Sequence, residues 1–252
     1  MQTIDDLARS LWESPLRRLL TLTAEERARV LATLDAAKRL AALQSWPLRA
    51  RAHQLPPIDR AWRRWAFIAG RGVGKTRSAG ELVVRAGMHP QVCAGRLALV
   101  GRTAADVRDT MIYGESGLMA CAERAKITLR HEPSNRRVLW PSGTIATTYS
   151  ADEPKQLRGP QHGGAWADEL STWPEGGAKV GDVAAWGTLQ DGLRLGPKPW
   201  TVATMTPRST ETVKKLIKDP ATVVTRGSTL DNRANLPPEY IADMLERYEG
   251  TR

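Results

Sequence analysis

Residues Ala69-Gly-Arg-Gly-Val-Gly-Lys-Thr76 form the most informative segment of this chain. The segment joins the apolar run Trp65-Ala-Phe-Ile-Ala69 to a helix that is predicted to begin near Lys75. A helix N-terminus carries about half a positive charge and several unpaired N–H groups, so a glycine-rich turn at this point can wrap closely around a phosphate chain. The order of strand, glycine-rich turn and helix therefore predicts a phosphate-binding loop.

The residue types within this loop match a Walker A motif. The pattern G-x-x-x-x-G-K-[ST] is met at Gly74, Lys75 and Thr76, whereas Ala69 stands where the first glycine is expected. We expect Lys75 to contact the β- and γ-phosphates and the Thr76 hydroxyl to hold Mg²⁺. The alternative is a glycine-rich turn before an ordinary helix, but the glycines, the lysine, the threonine and the flanking elements all favour the phosphate loop.

The length and charge of the chain limit the kinds of protein it can be. Its 252 residues suffice for one large α/β domain, with or without appended subdomains. Lys and Arg outnumber Asp and Glu by 37 to 27, a net charge of +10, which favours a polyanionic partner such as nucleic acid. Such an excess can also merely keep a protein soluble.

The cysteines and the apolar residues indicate a protein of a reducing cytosol with no membrane partner. Cys93 and Cys121 have neither metal-ligand spacing nor a disulfide framework. The sequence contains no run of about 18 apolar residues and no cleavable signal pattern. We therefore expect a soluble, intracellular protein.

Residues 1–45 are predicted to form an N-terminal helical segment. Thr23-Ala-Glu-Glu26 is a capping box, and it predicts one helix with Val30, Leu34, Ala37 and Ala41 along one face. An irregular connector over 45–59 follows, because its prolines forbid a long regular helix. We place the core domain at 46–207.

The core is predicted to alternate strands with helices. Further strands are expected at 96–101, 163–169, 200–206 and 222–225, and a hairpin with a Pro-Ser-Gly turn at 136–149. This alternation favours an α/β fold with a mostly parallel central sheet.

Two adjacent carboxylates, Asp168 and Glu169, end the predicted strand at 163–169. Hydrolysis of a phosphoanhydride needs one carboxylate near Mg²⁺ and a second that orients or deprotonates water. Asp168 would ligate the metal as a Walker B carboxylate, and Glu169 would act on the water. Most Asp-Glu pairs are solvated loop charges, but a position at a strand end, 93 residues after Lys75, favours the catalytic interpretation.

Two further motifs each allow two interpretations when only their residue types are considered. The Gln54 amide can hydrogen-bond an adenine edge, although its chemistry alone favours a solvated loop glutamine. Thr204 and Thr206 can sense a γ-phosphate, or they can be β-forming residues of a core strand, which is the favoured interpretation without a wider pattern.

A series of short motifs runs through residues 45–252 in a specific order and spacing. They are Arg51-Ala-His-Gln-Leu-Pro56, the phosphate loop with Arg71, Gly101-Arg-Thr-Ala-Ala-Asp-Val-Arg108, Gly114-Glu-Ser-Gly117, Ser150-Ala-Asp-Glu-Pro154, Leu157-Arg-Gly-Pro160, Trp166-Ala-Asp-Glu-Leu170 and Thr204-Met-Thr-Pro207. Together they resemble the ATPase portion of the large terminase subunit, the DNA-packaging motor of tailed bacteriophages and related gene-transfer particles. The resemblance implies a P-loop NTPase domain of the RecA-like, additional-strand type, with a small lid or linker subdomain at 208–252.

The resemblance also implies a role for each matching position. Gln54 looks like the adenine-contacting glutamine, Glu169 like the catalytic glutamate, and Thr204, Met205 and Thr206 like the motif that couples hydrolysis to movement. Arg158 matches an arginine finger that acts on the γ-phosphate of the neighbouring subunit, whereas without the resemblance a loop arginine bonded to a carboxylate or solvent is favoured. The residues expected to bind the nucleotide are Gln54, Arg71, Gly72, Val73, Gly74, Lys75, Thr76 and Arg77.

The function implied by the resemblance is an ATPase motor that couples Mg²⁺-dependent ATP hydrolysis to translocation of double-stranded DNA into a viral procapsid. The implied partners are double-stranded DNA, the procapsid portal, the small terminase subunit and further copies in a ring, with the isolated domain able to remain a monomer. The implied location is the host cytoplasm, transiently at the portal. In the family a nuclease domain resembling ribonuclease H follows, and because this chain ends where that domain would begin, we expect no DNA cleavage from it.

Two other functions are compatible with a phosphate loop. A P-loop kinase would pass the phosphoryl group to a bound acceptor, but Glu169, positioned for water, argues against it. A nucleotide-switch scaffold that does not translocate would change shape without useful turnover, but it would be expected to lack an essential group, and all of those groups are present.

Overall fold

A central sheet organises the protein. The computed structural model describes residues 3–175 and 184–248, and within them the sheet has eight strands in the order β3-β4-β5-β2-β6-β7-β1-β8. In chain order the strands are β1 (Arg64–Ala69), β2 (Arg96–Gly101), β3 (Arg130–Glu132), β4 (Arg137–Leu139), β5 (Ile145–Ser150), β6 (Gly164–Ala167), β7 (Trp200–Met205) and β8 (Thr222–Gly227).

The strand directions confirm the predicted sheet. The pairs β2–β5, β2–β6, β6–β7, β7–β1 and β1–β8 are parallel, and only the hairpin strands β3 and β4 run antiparallel to their neighbours. β7 lies between β1, which precedes the phosphate loop, and β6, which precedes the two carboxylates. This inserted strand is the additional strand that the predicted fold type requires.

Helices cover both faces of the sheet. In chain order they are α1 (Ile4–Trp12), α2 (Ala24–Ala32), α3 (Ala36–Gln44), α4 (Trp46–Arg49), α5 (Lys75–Gly87), α6 (Pro90–Cys93), α7 (Ala104–Asp106), which continues as a π-helix over Val107–Ile112, α8 (Leu118–Arg124), α9 (Ala185–Gly192), α10 (Glu211–Lys218) and α11 (Pro238–Tyr248). Short 3₁₀ turns lie at Pro15–Thr21, Ala52–Gln54, Pro133–Asn135, Pro154–Leu157, Leu170–Thr172 and Thr229–Asn235.

The apolar strands bury side chains on both faces, as parallel strands between two helical layers do. Trp65 and Phe67 of β1 join a core that α5 and α1 cover, whereas Ala66 and Ile68 join a core on the opposite face under α9 and α10. Because successive side chains of a strand alternate between faces, one short apolar run supplies both cores.

The N-terminal segment is helical, but the prediction of one helix after Thr23 is wrong. The capping box at Thr23 is present, yet α2 ends at Ala32, and the Asp35 carboxylate accepts a hydrogen bond from the N–H of Lys38 at 2.8 Å to start α3. Asp35 offers its own N-cap, so one continuous helix with a shared apolar face does not form. Val30, predicted to line that face, is 43% exposed.

The region after residue 207 continues the same sheet. β8 pairs with β1 along its whole length, and Val213 and Leu216 of α10 pack into the core under that face. The division into a core at 46–207 and a lid or linker at 208–252 stays a prediction. None of the helices in the described residues has the length and apolar character needed to cross a membrane.

A buried histidine predicts how stability depends on pH. His162 is 4% exposed, its Nε2 lies 3.2 Å from the Tyr149 hydroxyl, and burial, with the nearby charge of Arg96, lowers its pKa to about 4. The folded protein keeps this ring neutral, while the unfolded chain takes up a proton below about pH 6.5, so acidification favours unfolding. Between pH 7 and pH 5 we expect this group to lower the free energy of unfolding by about 2 kcal/mol.

Urea unfolding at the two pH values checks this expectation. The His162→Gln variant cannot take up the proton, so its free energy of unfolding should change less between pH 7 and pH 5 than that of the wild type. The same pH dependence in both proteins would contradict the assignment to His162.

Candidate active site

The phosphate loop connects β1 to α5 through residues in special backbone conformations. Gly72 and Gly74 have φ values of 74° and 94°, in the left-handed region where a side chain is strained. Gly74 is the N-cap of α5, so the first turn of that helix opens toward the loop. The loop therefore presents the helix N-terminus that the sequence predicts for phosphate binding.

Lys75 lies at the centre of this loop. Its Nζ donates to the carbonyls of Ala69 and Gly70, at 3.0 Å each, and lies 3.6 Å from Oε1 of Glu169. Burial lowers the pKa of Lys75, while the carboxylates of Glu169 and Asp168 act in the opposite direction. The ammonium group thus lies between the loop and the carboxylates that follow β6.

Asp168 follows β6 directly and is buried. Its Oδ1 accepts a hydrogen bond of 2.6 Å from the Thr204 hydroxyl, and its backbone carbonyl accepts one of 2.9 Å from Nε1 of Trp173. Burial raises the pKa of Asp168 to about 6, against the effect of Thr204. A cation bound beside this carboxylate would favour its ionised form, which is the form that a metal ligand adopts.

Glu169 differs from Asp168 in its exposure and has an unusual backbone conformation. Its φ of 47° and ψ of 44° place it in the left-handed region, and its side chain is 37% exposed. Oε2 accepts hydrogen bonds from the backbone N–H and the hydroxyl of Thr206, at 3.2 and 3.1 Å. The two neighbouring carboxylates thus lie in different environments, because Asp168 is buried whereas Glu169 is partly exposed to a cleft.

A cleft of about 490 Å³ lies at the carboxyl ends of the parallel strands and contains Asp168 and Glu169, whereas Lys75 does not line it. Its lining residues are Arg71, Arg102, Thr103, Asp106, Thr110, Asp152, Asp168, Glu169, Thr172, Thr206 and Arg208. Arg102 and Arg208 are not among the site residues expected from the sequence. Both come just after a strand, β2 and β7 respectively, and that position is a signal that ligand-facing residues share in α/β sheets.

Comparison with known proteins identifies the family. The family model described as "Terminase large subunit, T4likevirus-type, N-terminal" matches residues 66–252, most of the chain. The chain belongs to this large terminase family. A comparison with curated proteins found no match.

Solved terminase structures share the fold. The large terminase of the thermophilic bacteriophage D6E in complex with ADP matches with a TM-score of 0.59 and 15% identity, over 83% of this chain and 49% of that one. The chain thus spans about half the length of that relative. The large terminase ATPase domain of Thermus phage P74-26 matches with a TM-score of 0.56 and 17% identity, over 79% of this chain and 88% of that one. At these identities the likeness shows the fold, a RecA-like P-loop domain.

Gln54 is not a solvated loop residue, so the interpretation that its chemistry alone favours is wrong. It is 5% exposed, and its Nε2 donates to the carbonyl of Val73 at 3.3 Å. Its Oε1 accepts from the backbone N–H and the guanidinium of Arg51, at 3.1 and 3.0 Å. Packing under the phosphate loop, which a local pattern does not reveal, buries this amide.

Arg77 and the predicted coupling motif differ in what their side chains contact. The Arg77 guanidinium pairs with the buried Glu81 and lies 5.4 Å from the ring centroid of Trp46, so this side chain is engaged within the protein. Thr204 is buried in β7, as the core interpretation predicts, and it also contacts Asp168. Met205 is buried as well, whereas Thr206 is half-buried beside Glu169.

Arg158 lies outside the cleft. It follows the 3₁₀ turn Pro154–Leu157, is exposed, and is followed by Gly159 with a φ of 97°. Within residues 3–175 and 184–248 its guanidinium has no hydrogen-bond or ion-pair partner. No carboxylate in the described part of the chain bonds this side chain, so an arginine exposed to solvent is the alternative to a finger that fits its position.

The oxygen groups near the loop fit Mg²⁺. This ion prefers oxygen ligands and is usually held by one or two protein carboxylates together with substrate phosphates and water. Asp168 supplies a carboxylate with one oxygen bonded to Thr204, and Thr76 supplies a hydroxyl in the first turn of α5. Thr76 and Asp168 therefore remain the candidate metal ligands.

Proposed function

We propose that this chain is the ATPase motor domain of a phage large terminase and that it couples Mg²⁺-dependent ATP hydrolysis to translocation of double-stranded DNA into a procapsid. The observation that carries this proposal is the juxtaposition of Lys75 with Glu169, 3.6 Å apart, beside the buried Asp168. A phosphate-binding cation, a carboxylate for a metal and a carboxylate that faces the cleft are the groups that hydrolysis of a nucleoside triphosphate requires.

Each group has a task in the proposed reaction. The N–H groups of the loop and the Lys75 ammonium bind the β- and γ-phosphates and stabilise charge on the transferring phosphoryl oxygens. Glu169 orients a water molecule and takes its proton, because its side chain reaches the cleft while Thr206 holds one of its oxygens. Mg²⁺, when bound by Thr76 and Asp168, supplies charge neutralisation at the phosphates.

The coupling motif contacts both carboxylates. Thr204 donates to Asp168, and Thr206 donates to Glu169, so the end of β7 senses a change at either group. Met205 lies in the same buried core as Val213 of α10. We infer that a change at the carboxylates on hydrolysis reaches α10 through β7.

The net charge supports a nucleic-acid partner. The excess of basic residues amounts to +10, which favours attraction to the phosphates of DNA. The proposed partners are double-stranded DNA, the procapsid portal, the small terminase subunit and further copies of the chain in a ring. The proposed location is the host cytoplasm, transiently at the portal, and no nuclease activity is proposed for this chain.

Phosphate release tests the proposed function. ATP turnover is measured with and without duplex DNA, on the wild type and on Lys75→Ala, with the exposed Lys215→Ala as the matched control. We expect Lys75→Ala to lose about 10²–10³ in turnover, because a preorganised charge at the phosphoryl oxygens is removed. Folding should be retained, since Lys75 lies at the loop and not in the apolar core.

Three results would contradict the proposal. Near wild-type turnover by a folded Lys75→Ala variant would show that Lys75 has no role in hydrolysis. Turnover that duplex DNA leaves unchanged, at low salt where phosphate contacts are strongest, would argue against a DNA motor. Transfer of the phosphoryl group to an acceptor other than water would favour a P-loop kinase.

A further inference from the structure

Two side chains from beyond β8 donate hydrogen bonds to the phosphate loop. The Thr229 hydroxyl donates to the carbonyl of Arg71 at 2.9 Å, and Nδ2 of Asn232 donates to the carbonyl of Gly72 at 2.5 Å. Both residues belong to the 3₁₀ turn Thr229–Asn235. The parallel pairing of β8 with β1 brings this turn to the loop, since both strands end at the same edge of the sheet.

A third donor comes from before β1. Nε2 of Gln54 donates to the carbonyl of Val73 at 3.3 Å, so the carbonyls of residues 71, 72 and 73 each accept one side-chain hydrogen bond. The Arg51 guanidinium links the two sets of donors, because it donates to Oε1 of Gln54 at 3.0 Å and to Oδ1 of Asn232. Two segments far apart in the chain thus hold one run of loop backbone.

The direction of these carbonyls determines the direction of the loop N–H groups. A trans peptide is planar, and its C=O and N–H point to opposite sides. Holding the carbonyls of residues 71–73 outward therefore turns the N–H groups of Gly72, Val73 and Gly74 inward, toward the phosphate site. In the described part of the chain, none of these three N–H groups donates to a protein acceptor, so they are available to phosphate oxygens.

We propose that Gln54, Thr229 and Asn232 are positioning residues that hold the phosphate loop in its binding conformation, and that the turn Thr229–Asn235 supports the nucleotide site from the side of the loop opposite the phosphates. The proposal rests on the nucleotide binding proposed above. Nε2 of Gln54 donates to the loop while its Oε1 accepts from Arg51, so this amide is fixed between the loop and the segment before β1. Nucleotide binding and the order of the turn are then linked, because each stabilises the same loop conformation.

Binding of ADP to single variants tests the proposal. Thr229→Val keeps the shape of the side chain without the hydroxyl, and Asn232→Ala removes the amide donor. Because one hydrogen bond contributes about 1 kcal/mol, each variant should raise the Kd for ADP about three- to tenfold. Thr229→Ser keeps the hydroxyl and should bind as the wild type does. Asn135→Ala, which removes an exposed amide donor to Glu132 in another loop, is the matched control.

Amide hydrogen exchange separates a positioning role from a merely structural one. In the wild type, ADP should slow exchange in peptides that cover residues 71–76 and 228–236 together. In Thr229→Val the melting temperature without ADP should change little, while the joint protection by ADP should weaken. Exchange of both segments on the wild type decides the matter even if Asn232→Ala does not fold.

The outcomes distinguish this inference from the function on which it rests. A folded wild type that binds no ADP would overturn the proposed function and this inference with it. A wild type that binds ADP, with the same Kd in Thr229→Val and Thr229→Ser, would overturn the positioning role and leave the proposed function in place. If ADP slowed amide exchange in residues 71–76 but not in residues 228–236, the positioning role would be overturned as well.

Discussion

ATP turnover by the Glu169→Gln variant is expected to fall about 10²–10⁴-fold while ATP still binds. The amide cannot take a proton from water, but it keeps the shape of the side chain and an oxygen that accepts from Thr206. Lys75 and Asp168 remain, so the groups proposed to hold the phosphates and the metal are unchanged. Phosphate release measures the rate, and titration with a fluorescent ATP analogue measures the affinity.

A matched change elsewhere serves as the control. Glu211→Gln alters an exposed glutamate at the start of α10 and should leave turnover unaffected. Ordinary turnover by Glu169→Gln would move the role of the base to another residue. If the variant lost both ATP binding and turnover, the role of Glu169 would be to hold the nucleotide.

Arg158→Ala is expected to reduce hydrolysis in assembled rings by about 10³–10⁵-fold, the range that an arginine finger contributes. The Arg158 side chain is exposed and lies outside the cleft that contains Glu169. An arginine placed in this way can act on the γ-phosphate of a neighbouring subunit. ATP hydrolysis would then be slow in an isolated chain and fast in a ring.

Mixing two inactive variants tests action between subunits. Arg158→Ala keeps its own Glu169, and Glu169→Ala keeps an arginine to offer to a neighbour, so mixed rings should recover part of the hydrolysis. Lys155→Ala, in the 3₁₀ turn that precedes Arg158, is the control and should stay active. If mixed rings with confirmed co-assembly and nucleotide binding stay as inactive as their components, Arg158 does not act between subunits.

Local patterns predicted most of the fold and the centre of the candidate site. The apolar run before Ala69, the glycines after it and the helix from Lys75 are features of adjacent residues, and the structure reproduces them as β1, the loop and α5. Asp168 and Glu169 could be found in the same way, because a strand that ends in carboxylates is also a local signal. The helix predicted from periodicity alone was wrong at Asp35, because this residue is a local N-cap that divides the helix in two.

Tertiary structure decided what surrounds that centre. Gln54 is buried because the loop packs over it, although its chemistry alone favours exposure. Thr229 and Asn232 lie 158 and 160 residues from the loop carbonyls they contact, so no short pattern links them. The pairing of β8 with β1 makes these contacts, because parallel strands bring distant segments together at one edge of the sheet. The sequence by itself thus determined which groups can do the chemistry, and only the tertiary structure decided which residues hold them in place.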